Sequence, residues 1–374
     1  MIMLKRLYIH NYKCYQNFEF NLENLHDILL LGENGVGKST IGAVLDILRR
    51  IGGGEHDVER LVRLSDRFDH GPDAVVRIEA TFSSELGDLS YGLALELPPS
   101  FTRLRVREET LQLNGETVFS RAVAQVDLNN LNGGKSSFLH DWHQVVLPSI
   151  FTQPGVTPPA VEEIRSVLRS IIVLHPQPEQ MVSQSDSLAR ELARDASNLA
   201  TWTEAMVAEN HEAYSLVVDW YRQLSPDFSG FRSTPRDRQL LIKYRREDRD
   251  IEVPFDALSD GEKVYFLAAV LMAYNETISP LICYWDEPDN FMMMREIGGV
   301  MSSLRKSFAG RGQLIVAAHS DETIMKFAKA RTFCLRRLSH LEPTLPIKSV
   351  TQLEEEGLEI GDYRTSIVTG DLFA

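Results

Sequence analysis

The spacing of apolar and polar positions changes along the chain, and each change marks an element. Residues 4–20 alternate imperfectly and are rich in Tyr, Phe and Ile, which predicts two strands with a turn near Asn11. Asp27-Ile28-Leu29-Leu30-Leu31 is a short apolar run, as a buried strand requires. Residues 41–50 then carry Ile41, Val44, Leu45 and Leu48 at helical spacing, until Gly52-Gly53-Gly54 ends the helix and opens a polar loop to about Pro72. Alternation returns over 75–82, 91–97 and 104–113, and Asn114-Gly115 is a hairpin turn. An antiparallel sheet with one wet face is expected. Residues 129–137 are polar and glycine-rich and predict a loop, and 148–159 form a proline-rich connector.

From residue 160 the period is helical. Val161, Ile164, Val167, Leu168 and Ile171 share a stripe, a second helix is expected over 188–193, and a third over 199–224. The stripe of Trp202, Met206, Ala213, Leu216, Val217 and Trp220 reads as core rather than as a ligand box. Heptads for a long coiled coil are absent. Residues 240–244 and 251–253 read as a hairpin around a charged turn. Helix 258–275, strand 281–285, helix 295–308, strand 314–318, helix 322–330 and strand 332–338 then alternate, which implies a parallel sheet. The expectation is an α/β protein with an N-terminal lobe (1–159), a helical insertion (160–230) and a C-terminal lobe (231–374).

Composition narrows the class. The 374 residues suffice for one large domain or two ordinary ones, and 43% hydrophobic with 25% charged residues suits a folded soluble chain. No apolar run reaches the length of a membrane span, and the first residues lack a signal-peptide layout, so a cytoplasmic protein is expected. Cys14, Cys283 and Cys334 are too few and too scattered for a disulfide frame or a zinc site. The net charge of −14 disfavours a broad DNA-coating surface without excluding a local basic groove. The densest basic stretch holds Arg232, Arg236, Arg238, Lys243, Arg245, Arg246 and Arg249, diluted by Asp237, Glu247, Asp248 and Asp250. It reads as a solvated hairpin, with contact to a phosphate backbone as the sharper alternative.

The chemistry lies mainly in two stretches. Gly32-Glu33-Asn34-Gly35-Val36-Gly37-Lys38-Ser39 fits the P-loop pattern, between a predicted strand and a predicted helix. Glycines let backbone N–H groups turn toward a phosphate, and the helix N-terminus adds partial positive charge. The expected nucleotide contacts are Gly32, Asn34, Gly35, Val36, Gly37, Lys38, Ser39 and Thr40, with Lys38 on the β- and γ-phosphates and the Ser39 hydroxyl on Mg²⁺. Gly133-Gly134-Lys135-Ser136 lacks the earlier glycine and the apolar strand, so it is set aside. The second stretch is the apolar strand Leu281–Trp285 ending in Asp286 and Glu287. Asp286 is placed to hold Mg²⁺ through water, and Glu287 to polarise an attacking water.

Leu258-Ser259-Asp260-Gly261-Glu262-Lys263 is similar to the signature motif of ABC-type ATPases, in the form common to the SMC and RecF branch. Trp285-Asp286-Glu287-Pro288 resembles their Walker B, and His319 matches their switch histidine. The resemblance implies a P-loop NTPase of ABC-head type that binds ATP and Mg²⁺, with Glu287 and His319 catalytic. It also implies that Ser259 and the N–H of Gly261 reach the γ-phosphate across a homodimer or higher homo-oligomer. There are departures. The long coiled coil of SMC proteins is replaced by short helices. Asp289-Asn290-Phe291-Met292 is not the usual D-loop, and the Q-loop glutamine has only Gln144 and Gln153 as unpatterned candidates. The branch most resembled is the compact AAA_21-like ATPases, similar to the ATPase parts of OLD, Septu and PARIS anti-phage systems. The tail acids Glu354-Glu355-Glu356, Glu359, Asp362 and Asp371 lack a buried strand to form a Toprim nuclease site. A nuclease or toxin effector on another chain is therefore expected. RecF/SMC-like DNA repair or chromosome maintenance is the alternative, and a non-enzymatic ATP-binding scaffold is disfavoured by Glu287 and His319.

Overall fold

The computed structural model describes residues 2–71, 74–184, 189–234, 238–247 and 249–356. Leu188, Arg236, Asp237, Asp248, Glu359, Asp362 and Asp371, which entered the expectations above, lie outside these residues. In chain order the strands are β1 (Met3–His10), β2 (Phe18–Asn21), β3 (Asp27–Leu31), β4 (Val75–Ser84), β5 (Gly87–Glu96), β6 (Arg105–Leu113), β7 (Glu116–Ala122), β8 (Gln125–Asn129), β9 (Lys135–Leu139), β10 (Ile171–Leu174), β11 (Phe228–Ser233), β12 (Leu240–Arg246), β13 (Arg249–Pro254), β14 (Ile282–Asp286), β15 (Gln313–Ala317), β16 (Thr332–Cys334) and β17 (Lys348–Ser349). The α-helices are α1 (Lys38–Gly52), α2 (Val58–Leu61), α3 (Pro159–Arg169), α4 (Leu199–Glu209), α5 (Glu212–Arg222), α6 (Asp260–Thr277), α7 (Met294–Phe308), α8 (Asp321–Ile324) and α9 (Val350–Glu355). No described helix is long and apolar enough to cross a membrane.

Contacts divide the chain into two compact units, cutting across the consecutive segments expected from sequence order. One holds residues up to 25, 30–171 and the chain from 329; the other holds 26–29 and 172–328.

In the first unit, β2-β1-β4-β5-β6-β7-β8-β9 form one antiparallel sheet. In β4 the alternation of half-buried and buried positions is regular, with Val76, Ile78, Ala80 and Phe82 facing the core. Residues 129–137, expected as a loop, are instead the end of β8, a tight turn and the edge strand β9, where Asn129 pairs with Lys135. An edge strand exposed on both faces needs no apolar alternation, so the pattern did not mark it. Glu109 and Arg121 are fully buried in this sheet. The Glu109 carboxylate accepts from the N–H groups of Val146 (2.6 Å) and Leu147 (2.9 Å) and from the Tyr91 hydroxyl (2.9 Å). That pins the chain at 146–147 onto the sheet. Helix α1 buries Ile41, Val44, Leu45 and Leu48, and its last residue, Gly52, lies so near α3 that an added Cβ would sit 2.5 Å from the Leu168 Cβ. At the end of β3 the Leu31 carbonyl accepts from the Leu335 N–H, and β16 pairs antiparallel with β17.

In the second unit, β14 and β15 run parallel from Ile282↔Gln313 to Asp286↔Ala317, and every residue in both is buried. β10 neighbours β14 on one side, and on the other side of β15 the Leu314 N–H donates to the His26 carbonyl. β10 corrects the expected stripe, since Ile171 opens a strand instead of closing a helix. The expected helix 199–224 is two, broken at Asn210 and His211, and residues 189–193 are not helical. The expected helix 322–330 shortens to α8 followed by a 3₁₀ turn. Helix α6 is buried at every position from Lys263 to Ala273, and Phe266 meets Tyr221, Phe231 and Phe255, seating the small β11-β12-β13 sheet against it.

Candidate functional site

The loop after β3 takes its shape from three glycines that adopt backbone angles other residues avoid, with φ of 152° at Gly32, 82° at Gly35 and 114° at Gly37. Space forbids side chains too: a Cβ on Gly32 would lie 2.6 Å from the Leu335 carbonyl oxygen, and one on Gly37 would lie 2.6 Å from the Tyr15 hydroxyl. The loop is also tied from outside. The Tyr15 hydroxyl donates to the Gly37 carbonyl at 2.9 Å, the Thr344 hydroxyl to the Val36 carbonyl at 2.7 Å, and Arg337 to the Gly35 carbonyl at 3.2 Å. These three bonds all engage carbonyls of the loop. The Lys38 amine donates to the carbonyls of Gly32 (2.5 Å) and Glu33 (3.1 Å). Helix α1 has no acid in its first turn, so its partial positive charge is not cancelled there. Asn34 and Ser39 are exposed at the mouth, while Thr40 is buried.

In the second unit β14 delivers two acids with different surroundings. Asp286 is 4% exposed, and among the described residues its one ion-pair partner is His175, 3.8 Å away. Glu287 has a left-handed backbone, φ 53°, while its N–H donates to the Ala317 carbonyl at 2.7 Å. Left-handed geometry costs a non-glycine residue about 1 kcal/mol and turns its side chain away from the strand's alternation. The Glu287 carboxylate accepts from Asn290 at 2.7 Å and lies 3.9 Å from His319 Nε2. The structure thus brings Glu287 and His319 together. A near-buried carboxylate with so little neutralising charge suits a divalent cation such as Mg²⁺, which prefers oxygen ligands.

Ser259 caps α6. Its hydroxyl accepts from the Glu262 N–H at 3.4 Å, and the Glu262 carboxylate accepts from the Ser259 N–H (2.8 Å) and hydroxyl (2.7 Å). A Cβ on Gly261 would lie 3.0 Å from the Phe291 carbonyl, so the signature turn packs against the stretch that follows the two acids. A cavity of about 330 Å³ opens there, lined among others by Ser259, Gly261, Tyr265 and Phe291. Of the glutamines considered, Gln144 bridges to Asp57 and Gln153 lies exposed in a turn, both in the first unit. Sequence reasoning missed Tyr15, Thr344, Arg337 and His175, whose roles arise from contacts distant in sequence.

A glycine-built anion loop at a strand-to-helix junction, with two acids ending a buried parallel strand, defines a P-loop ATPase. The fold is that of SMC heads without a long coiled coil among the described residues. An SMC head bound to the C-terminal winged-helix domain of ScpA matches with a TM-score of 0.57 at 15% identity, over 93% of this chain and 99% of that one. An SMC head with an extended coiled coil, bound to the C-terminal domain of ScpA from Pyrococcus furiosus, matches with a TM-score of 0.56 at 13% identity, over 96% and 100%. No curated protein sequence matches the chain. Residues 28–325 match the AAA_21 family, described as "AAA domain, putative AbiEii toxin, Type IV TA system", and the chain belongs to that family.

Proposed function

We propose that the chain binds ATP on residues 32–40 and hydrolyses it with Glu287 and His319, and that the cycle opens and closes a pair of heads controlling a separate effector. The observation that carries the hydrolytic reading is the Glu287–His319 pair, 3.9 Å apart, with the carboxylate further fixed by Asn290. A carboxylate held in this way can take the proton of an attacking water, and the histidine beside it can hold the developing charge. Mg²⁺, held by Ser39 and Asp286, would neutralise charge on the β- and γ-oxygens. Lys38 adds a fixed positive charge on the same phosphates.

The family's description, which includes a toxin–antitoxin system, supports a role in bacterial anti-phage defence, with a nuclease or toxin as effector. Both structural neighbours carry a bound protein, which favours a protein partner for this chain as well. The SMC-like reading with DNA as partner is the alternative. Against the basic hairpin as its DNA surface stand the ion pairs Arg232–Glu252 at 2.6 Å and Arg245–Asp250 at 3.2 Å, which occupy those side chains. Failure of wild type to bind labelled DNA at low salt with ATP would remove that alternative.

The reading also has Ser259 and the Gly261 N–H serving the ATP held by Lys38 of a second copy. Lys38→Ala and Ser259→Arg are each expected to be inactive. Mixed and allowed to exchange, they form dimers in which one site carries both lesions and the other carries neither. ATPase activity is expected to return in part on mixing. No rescue, with exchange and ATP-dependent closure verified independently, would reject the action of the signature across two copies.

A further inference from the structure

On the wet face of the antiparallel sheet, within the first unit, lies a cavity of about 670 Å³. Tyr8 and His10 of β1 and Arg77 of β4 line it from the half-buried positions that alternate with the core, and His10 and Arg77 are direct cross-strand partners. Arg107 of β6 also reaches it. Ala94 pairs with Glu108 and Leu95 with Val106, so Arg107 is the extra residue of a bulge, a device that re-aims a side chain. Polar groups converge on this space. The Asn17 N–H donates to His10 Nδ1 at 3.3 Å, so the neutral ring carries its proton on Nε2. The Tyr8 hydroxyl donates to Asn17 Oδ1 at 2.9 Å, which leaves the Asn17 amide nitrogen as a donor. Glu108 holds Arg77 at 2.8 Å, whereas the carboxylates nearest Arg107 stand at 3.8 Å. The lining thus sets two guanidinium groups against one carboxylate, that of Asp69, in a chain whose net charge is −14. Its aliphatic part is confined to two small side chains, Ala74 and Val75, which suits a polar, anionic occupant. The turn between β1 and β2 that supplies Asn17 also grips the phosphate loop. Asn11, 1% exposed, exchanges bonds of 3.2 and 2.5 Å with the Asp69 backbone, and the Lys13 N–H donates to the Asp66 carbonyl at 2.6 Å. Two residues before Asn17, the Tyr15 hydroxyl reaches the Gly37 carbonyl.

We propose that this cavity is an effector site for a small organic phosphate, a phosphate monoester on a sugar or nucleoside body, and that its occupant strengthens ATP binding through Tyr15. The volume is that of a small-molecule pocket and exceeds what a bare phosphate fills. Arg107 and Arg77 take the phosphate oxygens, for which the planar guanidinium fork is suited. His10 Nε2 and the Asn17 amide donate to oxygens of the body. An occupant bonded to His10 and Asn17 fixes the turn that carries Tyr15, and with it the Gly37 carbonyl. A loop fixed in its binding conformation loses less entropy when its ligand arrives, which raises affinity. The site stands on the cavity alone, whereas the strengthening rests on the nucleotide contacts proposed above.

The test is isothermal titration of the full chain with ribose 5-phosphate, AMP and inorganic phosphate, the phosphate loop being first saturated with a slowly hydrolysed ATP analogue and Mg²⁺. Ribose 5-phosphate and AMP are expected to bind about tenfold or more tightly than inorganic phosphate, and the difference between them shows whether a base adds to recognition. Arg107→Gln is expected to weaken that binding about tenfold or more, the scale of a hydrogen bond to a charged group, and Arg107→Lys to recover part of it. Melting curves matching wild type separate these losses from misfolding. Saturating ribose 5-phosphate is expected to raise affinity for the analogue about fivefold, and the analogue to raise affinity for ribose 5-phosphate by the same factor, because such coupling is reciprocal. Tyr15→Phe is expected to bring both factors to within about twofold of one. No saturable binding at millimolar concentration, or inorganic phosphate bound as tightly as the other two, overturns the organic-phosphate site. So does loss of ribose 5-phosphate binding once the analogue is bound, which would assign the cavity to the footprint of ATP itself. An Arg107→Gln affinity within about twofold of wild type overturns the placement in this cavity. Saturable binding with no mutual change in affinity overturns the coupling alone. Failure of the analogue to bind removes the nucleotide reading and the coupling with it, while ribose 5-phosphate titrated without analogue still decides the site.

Discussion

The phosphate loop and the acid pair are held in opposite ways. The loop is fixed through its backbone: Tyr15, Thr344 and Arg337 each bond a loop carbonyl, and an added Cβ at Gly32 or Gly37 would collide at 2.6 Å. The acids are fixed through their side chains, by one bond from Asn290 to Glu287 and by looser approaches of His319 at 3.9 Å and His175 at 3.8 Å. A backbone cradle recognises any phosphate in the same way and tolerates little change. A side-chain arrangement can be retuned by a single rotamer. Binding and turnover should therefore respond to mutation separately.

That contrast can be broken at several points, in decreasing order of effect. Lys38→Ala removes the charge proposed for the β- and γ-phosphates and is expected to cost about 3 kcal/mol of ATP affinity, roughly a hundredfold, in equilibrium binding of labelled nucleotide. Unchanged affinity in a folded variant would refute the loop assignment. Glu287→Gln is expected to bind ATP as before and turn over about a hundredfold more slowly, read by phosphate release. Near-normal turnover would place the base elsewhere. Asn290→Ala frees the Glu287 carboxylate on one side and should lower turnover about tenfold, with ATP affinity preserved. A fall in affinity instead would merge the two regions. Thr344→Val keeps the shape but loses the bond to Val36, and should weaken ATP binding by about 1 kcal/mol without altering the rate at saturation. Arg232→Ala, on the exposed hairpin, should leave the melting curve, nucleotide binding and turnover close to wild type, since an exposed ion pair contributes little.

The sequence was most legible where local pattern and burial coincide. β3, α1 and β14 are short apolar or helical-period runs bounded by glycines or acids, and each lies within a few residues of its expected position. The capping box of Ser259 and Glu262 is visible as a serine three residues ahead of a glutamate. Elsewhere the pattern was ambiguous. Ile171 continues the apolar stripe of α3 by spacing although it starts β10, and no glycine or proline marks the break between α4 and α5. Lys135–Leu139 is a polar edge strand whose pairing alone makes it one. The supports of the site were illegible for a different reason. Thr344 touches a residue 308 positions earlier, and His175 approaches an acid more than a hundred residues later. A single sequence carries no sign of such pairings.

The left-handed backbone at Glu287 has an evolutionary consequence. Glycine at this position would relieve about 1 kcal/mol of backbone strain, so a search that rewards thermostability alone should favour Glu287→Gly. The same change deletes the carboxylate that His319 and Asn290 address. Residue 287 is therefore a place where selection for robustness and selection for turnover pull apart, and a glutamate retained there would record the second winning over the first.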